Sequence, residues 1–379
     1  MKLTGKFSAR TMRGFGGRKK MRISSFYYIL LLVVAVAANA IAAEQQEAID
    51  WNRAREIYQR SRAGETVTPE EKTYLQNAMR QREQMKGAAQ TQQSQQTGKP
   101  TVGLKPLTDL GAATYKGEDS GLYGGGRNEP PSALADAAKR AAAKIRPLDA
   151  QGKPSKDGKI VLVSIGMSNT TQEFSRFVPL ANQSGQKSPD VVLVDGAQGG
   201  KDAAAWNNSE GPWQVLDQRL RSSSATAEQV QAAWLKQALI QPSRLGEFPA
   251  HAKKLEEDIG KIVVKLRERF PNLRIVYLSS RIYAGYAVTQ LNPEPYAYES
   301  AFAVRRLIQK QKSDGPVLLW GPYLWGDGTT ARAGDGLTWE RGDFGQDGTH
   351  PSDSGRLKVA EMLLKFFTTD PTARAWFAK

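Results

Sequence analysis

From about residue 159 onward, the chain alternates short apolar runs with amphipathic stretches. Unbroken apolar runs of strand length are typical of strands whose two faces are both covered by helices. Four such runs occur: Ile160–Ile165, Val191–Val194, Ile275–Leu278 and Val317–Trp320. Two stretches between them repeat apolar residues at helical spacing, namely Leu255, Ile259, Ile262, Leu266 and Phe270, then Ala301, Val304 and Ile308. With a final helix from about Ser354 to Phe367, this order predicts an α/β domain with a parallel sheet sandwiched by helices.

Residues 44–87 carry a different pattern, which predicts a small helical hairpin. Trp51, Ala54 and Tyr58 recur at helical spacing, and Gly64 is expected to end the first helix. The stretch Thr68-Pro-Glu-Glu71 then combines a capping box with proline at the first helical position. A hairpin of this size encloses little core, so it is expected to pack on the main domain or on a partner.

Residues 88–131 are predicted to form a flexible linker and arm ahead of the main domain, which we place at 132–379. The first part, Ala88–Thr97, contains five glutamines, a composition that favours a polar linker. The second part is rich in glycine, but it lacks the Gly-Lys-Ser/Thr ending of a phosphate-binding loop. It is therefore interpreted as an irregular segment over the domain surface, with a wall of the substrate cleft as the alternative.

The N-terminus reads as an export signal over residues 1–43. A basic group at Arg18–Arg22 precedes an apolar run from Phe26 to Ala38, and small residues around Ala40 suit cleavage. That run is short beside the roughly 20 residues of a membrane-spanning helix. The sequence thus predicts a periplasmic or extracellular protein, with an uncleaved N-terminal anchor as the alternative and the only expected membrane contact.

The amino-acid composition excludes several kinds of catalytic and metal-binding site. The chain has no cysteine, which excludes disulfides, a thiol nucleophile and a cysteine-built zinc site. Its net charge is +15, but eight basic residues and no acids fall within the first 43 positions, which leaves +7 for the remainder. The body is mildly cationic, so it could attract acidic polymers, and nothing in it resembles a nucleic-acid-binding arm.

Candidate catalytic groups follow three of the predicted strands. Ser168 and Asn169 come directly after the first strand, Gly200 lies in the loop after the second, and Asp347 and His350 follow the last. Short Asp-x-x-His spacing lets a carboxylate accept a hydrogen bond from an imidazole, which then acts as a general base. Because the carboxyl ends of parallel strands share one edge, a nucleophile, an oxyanion-binding N–H and a base are expected together there.

These segments resemble the motif blocks of the SGNH (GDSL-like) hydrolase superfamily. Gly166-Met-Ser168 is similar to its nucleophile block, Gly200 to its second-block glycine, and Asp347-Gly-Thr-His350 to its last block. The resemblance spans roughly residues 159–368. It implies a flavodoxin-like three-layer fold and a serine esterase using Ser168, His350 and Asp347 without a metal or organic cofactor. Asn169 after the serine resembles carbohydrate O-acetylesterases, which implies acetylated sugars as substrates and a substrate-binding place for Asn169. Another small ester or a lipid ester is the alternative substrate.

One block departs from the family pattern. Its Gly-x-Asn-Asp tetrapeptide, which supplies an oxyanion-binding asparagine, has no match between Gly200 and the long helix. Gln237, at the end of a segment that could be a strand, is the nearest amide, and Lys236 is a charged alternative. This departure leaves open a catalytically inactive, secreted glycan-binding or scaffold protein, and also a glycan acyltransferase.

Simpler interpretations exist for the same residues. Ser168 could be a helix cap, His350 a loop residue bonded to backbone and Asp347 a turn residue. His251 is predicted to lie at the surface near a helix start. A group of aromatic residues precedes the Asp347 loop and could serve as core or as a stacking surface for sugar rings: Trp320, Tyr323, Trp325 and Trp339.

Overall fold

The structure is a computed structural model that describes residues 49–62, 67–94 and 98–379. The predicted export signal at 1–43 lies outside these residues. The chain divides into two compact units, Met1–Lys86 and Gly87–Lys379, and each is described by itself. In the part of the chain described, no helix combines the length and apolar content needed to cross a membrane.

The first unit contains helix α1 (Trp51–Arg62) and most of helix α2 (Pro69–Ser94). The predicted capping box is present, because Thr68 N donates to the Glu71 carboxylate and Glu71 N donates to Thr68 Oγ1. The apolar face differs from the prediction: Ala54 and Ile57 are buried, whereas Trp51 and Tyr58 are exposed. Gly64, predicted to end α1, lies outside the described residues.

Helix α2 also corrects the predicted linker. It continues to Ser94, so most of the glutamine-rich stretch from Ala88 is helical and only residues 95–97 fall outside the description. Alanine, glutamine and methionine are good helix formers, and a helix already nucleated at Pro69 extends through them at little cost. Polar composition alone therefore gives no sign that this stretch is helical.

The second unit is built on a five-stranded parallel sheet of order β2-β1-β3-β4-β5. The predicted α/β architecture is confirmed. Each of the four predicted apolar runs is a strand, and a fifth fills the centre: β1 (Ile160–Gly166), β2 (Val191–Asp195), β3 (Val230–Lys236), β4 (Ile275–Leu278) and β5 (Val317–Trp320). The fifth strand, β3, is less apolar in sequence because it carries Gln231. That side chain exchanges two hydrogen bonds with the backbone of Arg146, which satisfies its amide in the interior.

Helices flank this sheet. The three helices predicted around residues 255–270, 301–308 and 354–367 are confirmed as α7 (Ala250–Arg269), α8 (Tyr296–Gln309) and α9 (Asp353–Thr369). Helix α4 (Ser168–Gln183) packs against α9, and α7 packs against α8. The helices of this unit after α2 are α3 (Ser132–Ala142), α4 (Ser168–Gln183), α5 (Ala203–Asn208), α6 (Gly211–Ser222), α7 (Ala250–Arg269), α8 (Tyr296–Gln309), α9 (Asp353–Thr369) and α10 (Arg374–Phe377).

The glycine-rich segment 98–131, here called the arm, belongs to the domain rather than to a flexible linker. It is irregular, as predicted, but Leu107 is fully buried and Tyr123 nearly so. The Asp327 carboxylate accepts the N–H groups of Val102 and Gly103 at 2.7 and 2.9 Å. The predicted boundary at residue 132 is therefore too late, because scattered apolar residues anchor the arm between its glycines.

His251 is buried, which contradicts its predicted place at the surface. It lies in the first turn of α7 with 2% of its surface exposed, and its Nε2 is 2.7 Å from Glu299 Oε2. Tyr115 and Lys116 of the arm donate to the other oxygen of the same carboxylate. A single histidine in a polar sequence context gave no sign of this partner 48 positions away.

The aromatic residues that precede the Asp347 loop are core residues. Trp320, Tyr323, Trp325 and Trp339 are each at most 5% exposed. The indole N–H of Trp320 donates to Leu122 O, and that of Trp339 donates to Leu324 O. These rings fix the loops after β5 and leave no face open for stacking on a sugar.

Candidate active site

Ser168 is placed by a tight turn between β1 and α4. A Cβ on Gly166 would lie 2.3 Å from Lys236 O and from Thr170 Oγ1, so this turn accepts only glycine. Met167 is the N-cap and Ser168 is the first residue of α4. The partial positive charge of the helix N-terminus therefore lies beside a half-buried hydroxyl.

His350 joins Ser168 to Asp347. Ser168 Oγ lies 2.7 Å from His350 Nε2, and His350 Nδ1 lies 2.5 Å from Asp347 Oδ2. With Nδ1–H donated to the carboxylate, Nε2 is left to accept the serine proton. The structure thus brings the three predicted residues into one hydrogen-bonded row, and the Ser168 hydroxyl is engaged by His350 rather than by a helix cap.

The loop itself holds Asp347 as an anion. Burial alone would raise the pKa of Asp347, but hydrogen bonds from the His350 ring and from the N–H groups of His350 and Thr349 lower it to about 2. Those two N–H groups both donate to Oδ1 at 3.0 Å. Gly348 has φ +62°, and a Cβ there would lie 1.8 Å from Tyr286 O. The turn therefore requires glycine and keeps the carboxylate ionised and fixed.

Asn169 connects the two halves of the row. Its Nδ2 donates to Thr349 O at 3.0 Å, and the residue is 1% exposed. Its Oδ1 is buried and has no hydrogen-bond partner among the described residues. The sequence predicted a substrate-binding role for Asn169. The structure instead shows an enclosed side chain that ties the start of α4 to the residue before His350.

Gly200 and Gln237 lie on loops that meet beyond the ends of β2 and β3. Gln198 N donates to Gly166 O at 3.1 Å, which holds the Gly200 loop beside the nucleophile turn. Gly200 is exposed with φ +71°. Gln237 is buried; its Nε2 donates to Lys201 O at 3.4 Å, a long bond, and its Oε1 accepts Ala238 N. The Gln237 amide therefore joins the two loops, whereas the sequence predicted a free donor.

Lys236, the charged alternative to Gln237 as an oxyanion donor, forms a buried ion pair with Glu173. Its ammonium bonds both oxygens of Glu173, and the two side chains are 1% and 0% exposed. Burial lowers the pKa of Lys236 to about 8, partly opposed by the Glu173 charge, and burial raises the pKa of Glu173. Lys236 thus stabilises the interior behind Ser168 and does not supply an oxyanion donor.

Arg281, after β4, is a further buried charge that sequence analysis missed. It is 2% exposed, and its Nε and Nη2 have no hydrogen-bond partner in the described part of the chain. Burial lowers its pKa, and the charges of Glu173, Glu294 and Asp347 oppose that effect. No local spacing links these four residues, so only the fold reveals that they share one electrostatic environment.

Within residues 49–62, 67–94 and 98–379, no group of three or more His, Cys, Asp or Glu side chains is arranged to hold a metal ion. The polar groups gathered at the carboxyl edge are the hydroxyl, imidazole, carboxylate and backbone N–H groups described above. The chemistry open to this set is proton transfer and nucleophilic attack by Ser168.

Comparison with known proteins gives structural neighbours only. No family model matches the sequence, and no curated protein matches it. A candidate acylhydrolase from Bacteroides fragilis has 12% identity and a TM-score of 0.36, covering 65% of this chain and 100% of its own. A protein from Arabidopsis thaliana has 15% identity and a TM-score of 0.32, covering 52% and 67%. A candidate platelet activating factor from Streptococcus pneumonia has 14% identity and a TM-score of 0.34, covering 61% of this chain and 92% of its own. Function is therefore argued from the site itself.

Proposed function

We propose that the protein is a serine hydrolase that cleaves ester bonds. One observation carries the proposal: Ser168 Oγ, His350 and Asp347 form a continuous row with contacts of 2.7 and 2.5 Å at the carboxyl edge of the sheet. Serine attack needs a base within hydrogen-bond reach and a third group that orients the base. The three residues meet both requirements.

The reaction follows from this row. His350 Nε2 takes the Ser168 proton as Oγ attacks the ester carbonyl carbon, and Asp347 stabilises the imidazolium that forms. The oxyanion is held by the N–H of Ser168 at the start of α4 and by the N–H of Gly200. His350 then protonates the departing alcohol, which leaves an acyl-serine. Water, deprotonated by His350, attacks that ester and releases the acid.

The substrate we propose is an O-acetyl group on a carbohydrate. We further propose that the protein is exported from the cytoplasm and acts on this substrate outside it. The support is the Ser168-Asn169 pair and the signal-like segment at 1–43, both read from sequence. The exposure of the row also suits a bulky substrate, because His350 and Asp347 are 28% and 34% exposed. A small acyl group on a large alcohol can reach such an open site.

A secreted glycan-binding or scaffold protein without turnover is the second candidate. The observation that favours it is the Gln237 amide, whose hydrogen bonds are made within the loops it joins. Loss of one oxyanion donor typically lowers kcat by about a hundredfold or more. A weak enzyme and an inactive relative are therefore the two outcomes that an assay must separate.

The test is hydrolysis of 4-nitrophenyl acetate by the parent, Ser168→Ala and His350→Ala proteins, with folding checked by circular dichroism. The proposal expects turnover in the parent that is lost in both folded variants, together with fluorophosphonate labelling of the parent at Ser168. Equal rates in all three proteins would refute the proposed catalytic residues for this substrate. An inactive parent that also resists the fluorophosphonate would select the binding protein.

A further inference from the structure

A cleft of about 840 Å³ lies at the amino edge of the sheet, opposite the edge that carries Ser168. Helix α3, the residues just before β4 and the loop between α8 and β5 form its walls. Leu273 and Arg274 directly precede β4, and Val317 is the first residue of β5, so the wall includes the starts of two strands. A volume of this size is within the roughly 300–1,000 Å³ of small-molecule sites.

The floor of the cleft is apolar and partly open. Leu134, Ala137 and Ala141 recur at helical spacing on α3, and each is partly exposed. Leu273, which is buried, and Val317, which is partly exposed, continue this surface onto the sheet. A ligand that covers such a floor with hydrocarbon removes apolar surface from water, which favours binding.

The remaining charge in the wall is positive. No Asp or Glu of the described residues lines the cleft, whereas four basic side chains do: Arg140, Lys144, Arg274 and Lys312. In the described part of the chain, none of the four lies within ion-pair distance of a carboxylate, and Asp314, close to Lys312 in sequence, pairs with Arg267 at 3.1 Å. A cleft lined by charges of one sign concentrates ligands of the opposite sign.

Arg274 is held ready to bind an acidic group. Its backbone N–H donates to Gln231 O at 2.9 Å and its carbonyl accepts Val317 N at 2.8 Å, so the sheet fixes its main chain. Its Nη2 donates to Asn272 Oδ1 at 3.2 Å, whereas the buried Nε has no hydrogen-bond partner in the described residues. The guanidinium therefore keeps donors for a phosphate or carboxylate, which it binds with charge-assisted hydrogen bonds.

We propose that this cleft binds an amphiphilic anion. The acidic group lies among the four basic side chains, and the apolar body covers the floor on α3. The cleft is concave and of small-molecule size, so the ligand is a single molecule rather than a polymer or a membrane surface. The site lies at the other edge of the sheet from the proposed catalytic row, so this inference does not rest on the proposed function.

Isothermal titration calorimetry at low ionic strength tests both parts of the ligand. The ligands are decyl phosphate and decanoate, kept below the concentrations at which they form micelles. Inorganic phosphate and acetate supply the charge without the apolar body, and decyltrimethylammonium supplies the apolar body with the opposite charge. At least one decyl anion is expected to bind about tenfold or more tightly than its short counterpart and than the decyl cation. Added salt should weaken that binding.

A matched pair of variants tests the charges. The test variant combines Arg140→Gln with Lys144→Gln, and its control combines Lys139→Gln with Lys261→Gln. All four side chains are exposed and both variants remove two positive charges, but only the first pair lines the cleft. The Kd of the decyl anion is expected to rise about tenfold in the test variant and to stay within about twofold of the parent in the control.

A second pair tests the place of binding without changing charge. Ala137→Trp fills the floor of the cleft, and Ala150→Trp puts the same side chain on an exposed turn outside it. With folding checked by circular dichroism, binding should be lost in Ala137→Trp and kept in Ala150→Trp.

Several results would overturn the site. These are no binding of either decyl anion, equal binding of the decyl cation, equal weakening in the two charge variants, or full binding in Ala137→Trp. Binding to vesicles that contain phosphatidic acid, without binding of the decyl anions, would assign the basic side chains to a membrane surface and also overturn the proposal. None of these measurements involves ester hydrolysis, so the esterase proposal stands or fails separately.

Discussion

Replacing Asn169 by alanine tests whether the buried link between α4 and the His350 loop sets the position of the base. The substitution removes one hydrogen bond of 3.0 Å and leaves Thr349 O buried without that partner. Ser168, His350 and Asp347 are unchanged. A loss of turnover larger than that of a matched control then reports altered placement of His350 relative to Ser168.

The size of each effect follows from that single bond. Leaving a buried carbonyl unpaired costs about 1–3 kcal/mol, which for a domain of this size lowers Tm by roughly 2–4 °C per kcal/mol. A shift of the base by about 1 Å can cost on the order of a hundredfold in rate. We therefore expect moderate destabilisation and a fall in kcat of about ten- to a hundredfold.

Asn207→Ala is the matched control. Asn207 Nδ2 donates to Asp258 O at 3.1 Å, and its Oδ1, like that of Asn169, is buried without a partner in the described residues. Both variants should lose similar stability in urea denaturation, and only Asn169→Ala should lose 4-nitrophenyl acetate turnover. Because the chain has two histidines, nitrogen NMR can follow the His350 ring directly. Similar kcat values for the two variants, with an unchanged His350 spectrum, would refute the positioning argument.

Three further predictions concern buried charges. Lys236→Met should destabilise the domain by about 3–5 kcal/mol in urea denaturation, because the buried Glu173 carboxylate loses its counter-charge. The double variant with Glu173→Leu should recover most of the lost stability. Equal stability of the single and double variants would contradict this prediction. Burial raises the pKa of Glu294 from 4.5 to about 7 despite hydrogen bonds from neighbouring N–H groups, so folding takes up a proton in that range. Stability should fall as the pH rises from about 4.5 to about 7 and should fall less in Glu294→Gln; parallel pH profiles of Tm would rule this out. His251→Ala removes one of three donors to Glu299, the carboxylate that also binds Tyr115 and Lys116 of the arm. Proteolysis within residues 98–131, followed by mass spectrometry, should therefore be faster in this variant. An unchanged cleavage pattern would show that other contacts hold the arm.

The pattern of apolar residues predicts the strands of the sheet well, but it does not predict the structure of the segments around the sheet. The four predicted strands were found because unbroken apolar runs leave few alternatives in a parallel sheet. Central strand β3 was only suspected, since Gln231 and Lys236 interrupt its pattern and are satisfied by Arg146 and Glu173, far away in sequence. The arm is irregular, as predicted, but its glycine content gives no sign of the buried residues Leu107 and Tyr123 that anchor it to the domain.

The candidate site divides in the same way. Ser168, Asp347 and His350 could be proposed together because each follows a strand and parallel strands end at one edge. The sequence does not predict that Asn169 is enclosed or that the Gln237 amide is hydrogen-bonded to Lys201 and Ala238. Both depend on which loops touch, and loop contacts between distant segments have no local signature.

The arm also sets the order in which this domain can be completed. Its backbone bonds to Asp327 join residues 225 and 224 positions apart, and its salt bridge from Glu118 to Arg305 spans 187. During synthesis the arm is made before every strand of the sheet, whereas its partner Asp327 is made only after the last strand, β5. Contacts of such long range slow folding, and the waiting arm keeps its apolar residues uncovered. A chain truncated before residue 327 lacks the carboxylate that binds Val102 and Gly103, so fragments ending there should be targets for proteases and chaperones.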